Sequence, residues 1–75
     1  MKYLALQDAI ERDPAKVSGK WVFIGTRVPI TTLFENLRDG ATVDQFLEWF
    51  PGVRREHVLA VLNHEMARLD QQTTA

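Results

Sequence analysis

Apolar residues in this chain recur at helical spacing in two neighbouring blocks. Ile30, Leu33, Phe34 and Leu37 stand at i, i+3, i+4 and i+7, and Val43, Phe46, Leu47 and Phe50 repeat the same stripe. That spacing lines one face of an α-helix. Each block carries a threonine followed three residues later by a longer acceptor: Thr32 with Glu35, and Thr42 with Gln45. Both pairs read as capping boxes, in which side chain and backbone satisfy each other's free groups at a helix start. Asp39-Gly40 and Pro51-Gly52 supply the stops. Glycine suits the left-handed position after a helix, and proline cannot continue one. Two short helices are predicted, followed by a third from about Arg54 to Leu69.

The third helix has the broadest apolar band: Val58, Leu59, Val61, Leu62, Met66 and Leu69. Packing against two short helices needs only one face, so the excess predicts a second buried contact, with another subunit or a partner. Upstream the period changes. Trp21-Val22-Phe23-Ile24, Gly25 and Thr26-Arg27-Val28 read as a small β-hairpin around the glycine, closed by Pro29, which has no N–H to donate. Ser18-Gly19 marks a turn before it. In residues 3–12, Tyr3, Leu6 and Ile10 fit a short amphipathic helix, with a strand as the alternative, and Asp13-Pro14 ends either one. The expected fold class is mainly α: a helix-turn-helix three-helix bundle with a short N-terminal helix or strand and a small β-hairpin. One domain spans residues 1–75. It divides into an N-terminal segment with the hairpin (1–28), a tri-helical core (29–69), and a polar tail (70–75) expected to fray.

Composition narrows the function classes. A chain of 75 residues without cysteine has neither disulfide nor thiolate metal site to supplement a small core. Association is the remaining common support, and a homodimer is expected. Nine basic against ten acidic residues leave a net charge of −1, so any polyanion must meet a local cluster of cations. No apolar run approaches the ~20 residues of a membrane span. The start of the chain also lacks the apolar stretch of a signal peptide. A cytoplasmic protein that does not engage membranes is expected.

The strongest local signal is Arg54-Arg55 at the start of the third helix. Cations at the positive end of a helix are unfavourable for the helix itself. Together with the free N–H groups of the first turn they form an anion site suited to phosphate or guanine. In a helix-turn-helix this end faces the major groove. Solvated charge offset by Glu56 is the plainer alternative. His57 on the same turn, Thr26 and Arg27 in the expected hairpin, and Lys20 before it are the other candidate contacts with double-stranded DNA. The candidate dimer or partner interface is Trp21, Phe23, Leu59, Leu62, Met66 and Leu69. His57 and His64 are seven residues apart with no cysteine nearby, so no metal site is expected. There is no Gly-rich phosphate loop, activated nucleophile or paired-carboxylate pattern. Neither an enzyme nor a cofactor is expected.

The strings Asp13-Pro14, Ser18-Gly19-Lys20, Phe23-Ile24-Gly25-Thr26-Arg27-Val28-Pro29, Asp39-Gly40-Ala41-Thr42 and Phe50-Pro51-Gly52-Val53 together resemble a bacterial and archaeal family known as domain of unknown function 433. The resemblance spans about residues 10–66. It implies a homeodomain-like helix-turn-helix preceded by a short β segment. It further implies an antitoxin that represses its own operator as a dimer and binds a PIN-like ribonuclease toxin. Two positions depart from the usual pattern: Trp21 stands where many members have proline, and Arg54 where many have threonine or serine. With no long tail to wrap a toxin, such a contact is expected to use the third helix or the N-terminal segment.

Overall fold

The computed structural model describes residues 4–15 and 17–72. A turn of 3-10 helix at Leu6–Asp8 leads into strand β1 (Ile10–Arg12). A second such turn at Val17–Gly19 leads into strand β2 (Trp21–Phe23). Helices α1 (Ile30–Arg38), α2 (Val43–Trp49) and α3 (Arg55–Gln72) follow. The expected class holds: a small helical bundle carrying a two-stranded antiparallel hairpin.

The hairpin's strands differ from those expected. β1 pairs with β2, setting Ile10 opposite Phe23, Glu11 opposite Val22 and Arg12 opposite Trp21. Residues 10–12 are therefore strand, the alternative to the amphipathic helix. Tyr3, the first residue of that helix, lies outside the described residues. A helix of about ten residues closed by Asp13-Pro14 is marginal by itself, whereas the strand buries Ala9 completely and lets its carbonyl accept the Ile24 N–H at 2.9 Å. The chain does turn at Gly25, whose φ of 75° few other residues adopt. The Thr26–Val28 segment nevertheless forms no strand. It makes two backbone bonds, from the Phe23 N–H to the Val28 carbonyl and from the Thr26 N–H to the Phe23 carbonyl, both at 3.0 Å, and is followed by a single bridge between Val22 and Pro29. Proline at that point has no donor with which to extend a ladder.

Helix α1 starts at Ile30, not at the Thr32 motif. Pro29 is its cap residue, extended at φ −62° and ψ 144°, and no side chain caps the helix. Thr32 is already within the first turn, donating its N–H to the Pro29 carbonyl at 3.0 Å. Helix α2 starts as expected. Thr42 Oγ1 accepts the Gln45 N–H at 3.1 Å, and Gln45 Oε1 accepts the Thr42 N–H at 2.9 Å. Gly40, at φ 102°, ends the turn after α1. Helix α3 continues to Gln72, so residues 70–72, expected to fray, are helical. Residues 73–75 of the predicted tail lie outside the described residues.

The two stripes do what their spacing implies. Leu33 of α1, Phe46 of α2 and Val58 and Val61 of α3 are buried together with Phe23 and Val53. Ile30, Phe34, Leu37, Val43, Leu47 and Phe50 pack around them. Phe46 is the centre of an aromatic row, with ring centroids 6.1 Å from Phe23 and 4.9 Å from Phe50. Fully burying each such side chain stabilises the fold by roughly 1.5–3 kcal/mol relative to exposure. No helix among the described residues is long and apolar enough to cross a membrane.

Candidate functional site

The amino end of α3 is built by the α2–α3 turn. Phe50 ends α2, and the Val53 N–H returns to the Phe50 carbonyl at 3.0 Å while Val53 itself is buried. That anchor fixes where the next residue emerges. Arg54 is exposed, and its carbonyl accepts the first helical bonds, from the N–H groups of His57 at 3.0 Å and Val58 at 3.1 Å. Arg54 thus occupies the cap position, where its side chain offers no acceptor to the free N–H groups of the first turn.

The turn at Gly25–Arg27 abuts this end. A Cβ placed on Gly52 would lie 3.7 Å from Thr26 Cγ2. Thr26 is tied into its own turn, with Oγ1 donating to the Phe23 carbonyl at 2.7 Å and accepting the Val28 N–H at 3.0 Å. Its hydroxyl is therefore committed locally. Arg27 follows it, exposed and without an ion pair among the described residues. The fold thus sets the turn that carries Arg27 against the turn that leads into Arg54, far apart in sequence.

The other candidate cations and histidine divide. Arg55 Nη2 donates to Asp44 Oδ1, an ion pair between the first turns of α3 and α2. Arg55 is thereby partly neutralised, whereas Arg54 makes no ion pair among the described residues. Two guanidiniums held alike at the helix start are not what the fold provides. The His57 ring is only 12% exposed, near Glu56 at 3.9 Å, so little of it is available to a ligand. Lys20 is exposed beside Trp21, Ile30 and Thr31, at the start of β2.

A second feature is apolar. Leu6, Ile10, Trp21, Ile30, Val61 and His64 are among the residues lining a groove of about 750 Å³ between the N-terminal segment, the hairpin and α3. Trp21 forms one wall. It is 50% exposed, and the Arg12 guanidinium carbon lies 6.0 Å from its ring centroid, the geometry of a cation–π contact. Of the candidate interface residues, Met66 and Leu69 are 56% and 52% exposed, while Leu59 and Leu62 are half-buried and Leu62 packs on the core. Phe23 is corrected. It has no exposed surface and belongs to the chain's own core, its ring near that of Phe46. Alternation puts Trp21, two residues away, on the same face of β2, so place along the strand, not face, buries one and leaves the other half-exposed. On the groove's lining, Arg68 holds the Glu65 carboxyl beneath its ordinary range by hydrogen bonding, with His64 adding to the effect.

Sequence reasoning missed two pairings. Asp44–Arg55 joins residues eleven apart across a turn, and no periodicity signals it. Arg12–Trp21 was open to discovery, since reading residues 10–12 as the partner strand of Trp21–Phe23 places the two opposite each other.

Residues 10–64 match the family described as protein of unknown function (DUF433). The fold is similar to the crystal structure of a DUF433 member from Anabaena variabilis, with a TM-score of 0.71 and 27% identity over 88% of this chain and 65% of that one. This chain therefore spans about two thirds of that protein's length. No curated protein matches it. The chain belongs to the DUF433 family.

Proposed function

We propose that this protein is a DNA-binding regulator that meets its operator as a homodimer in the cytoplasm and serves as the antitoxin of a toxin–antitoxin pair. The observation that carries DNA contact is the pair of exposed guanidiniums, Arg27 and Arg54, on abutting turns at the amino end of the third helix. Three helices of 9, 7 and 18 residues frame that end, in the order of a helix-turn-helix. Arg55 adds to the site once it leaves Asp44. The pair is exposed, so its release costs about 0.2–1 kcal/mol. A monomer with so few cations binds weakly at physiological salt, since affinity falls with a slope of about −0.9 per phosphate contacted. A dimer doubles the contacts, which is why two-fold binding is part of the proposal. The antitoxin role rests on the family resemblance and leaves a PIN-like ribonuclease as the partner.

Fluorescence anisotropy on a labelled duplex from upstream of the protein's own reading frame tests this. Wild type is expected to prefer that duplex over a scrambled one. Arg54→Ala is expected to reduce the salt slope by about 0.9 per site, and Arg55→Ala by less. Equal affinity for both duplexes sinks the proposal.

The apolar groove favours a second reading: a protein-interaction module without DNA affinity. Co-expression with the neighbouring gene's product separates the two. A stable complex together with no duplex binding supports the module.

A further inference from the structure

The Glu11 carboxylate crosses from β1 to the turn that carries Arg27. Its Oε2 accepts the Gly25 N–H at 2.8 Å, fourteen residues along the chain. Gly25 stands at φ 75°, a conformation that glycine adopts without preference. By itself, then, this turn is poorly determined. The bonds that hold it include the one from the Gly25 N–H to Glu11, the one from the Thr26 N–H to the Phe23 carbonyl at 3.0 Å, and the two made by the Thr26 hydroxyl. Only the first comes from a side chain outside the turn. The result is that Thr26 rests beside Gly52, one residue before Arg27 on one turn and two residues before Arg54 on the other.

We infer that Glu11 is a positioning residue for DNA contact, an acid that strengthens polyanion binding by holding Arg27 at the amino end of α3. The inference rests on the DNA-binding reading and adds a sign that the reading alone does not supply. Simple electrostatics makes an acid near a phosphate backbone unfavourable, so its removal strengthens binding. A positioning role makes the opposite prediction for any replacement that cannot accept the Gly25 N–H. The two effects separate cleanly between variants. Glu11→Gln removes the charge and keeps an acceptor of the same reach. Glu11→Thr removes the charge and is too short to reach Gly25, yet suits a strand.

The test uses the full chain and the labelled upstream duplex, with affinity measured between about 50 and 200 mM salt. Hydrogen exchange at the Gly25 amide is measured alongside. Glu11→Gln is expected to bind at least as tightly as wild type, with the Gly25 amide still protected. Glu11→Thr is expected to lose roughly fivefold in affinity, the effect of one hydrogen-bonded contact, to expose the Gly25 amide, and to reduce the salt slope. Arg27→Ala is expected to do the same to affinity and slope, and the double variant to lose nothing further. Glu11→Thr that binds as tightly as Glu11→Gln overturns the positioning role and leaves DNA binding intact. Wild type that does not prefer its own duplex overturns the DNA reading, and the positioning role falls with it. Protection of the Gly25 amide that survives in Glu11→Thr also overturns the role, whatever the affinity does.

Discussion

Helices α1 and α2 are near neighbours of similar length, and each carries threonine followed three residues on by glutamate or glutamine. Only α2 uses the pair. Its Thr42 is extended at φ −88° and ψ 165°, and both reciprocal hydrogen bonds form. In α1 the extended residue is Pro29, three positions before Thr32. The ring already holds φ near the helical value, and proline's missing N–H removes one group that would otherwise need satisfying. By the time the chain reaches Thr32 it is helical, and a helical threonine cannot cap its own start. A capping motif therefore acts only where the backbone enters the helix at that residue. Here a bridge to Val22 fixes Pro29 and with it the entry point.

If that account is right, α1 depends on packing and α2 on packing plus its cap. The largest effect should come from Leu33→Ala, which empties a fully buried position in α1. A loss of about 2–5 kcal/mol is expected in urea unfolding. A loss under about 1 kcal/mol would mean that something other than the core secures this helix. Next is Thr42→Ala, expected to cost about 1 kcal/mol, within a range of about 0.5–2. The matching Thr32→Ala should stay within about 0.5 kcal/mol of wild type. Equal melting-temperature shifts for the two threonine variants would erase the difference between the helix starts. Pro29→Ala should cost about 0.4–1 kcal/mol, chiefly by loosening the unfolded chain. No change there would remove proline from the explanation.

A small effect on stability reaches the functional end. Asp44, in the first turn of α2, holds Arg55. Asp44→Asn should cost no more than about 1 kcal/mol, as exposed pairs do, while freeing a guanidinium and raising duplex affinity. Unchanged affinity in the anisotropy titration would show that Arg55 stays out of the contact even when released.

The candidate site was legible in parts. Arg54 was visible as a cation standing where a cap belongs, and Arg27 as a cation beside a glycine. That the turns carrying them abut was not visible. It depends on Thr26 packing against Gly52, a contact between segments with no common periodicity. Phe23 and Trp21 show the same limit from the other side. Both are aromatic residues on the same face of one short strand, so period-two alternation does not separate them; only the core that closes around Phe23 does.

Local patterns determined what local energies control. The stripes of α1 and α2, the capping box of α2, the glycine turns and the tri-helical order follow from residues within a few positions of one another. Their free energies are settled by side-chain spacing and backbone propensity. Tertiary structure alone decided the partner of β2, the entry point of α1, the fate of Arg55 and the pairing of Glu11 with Gly25. Each of these joins residues seven or more positions apart. The competing local arrangements there differ by no more than a hydrogen bond or an exposed ion pair, too little for neighbouring residues to settle before the core closes.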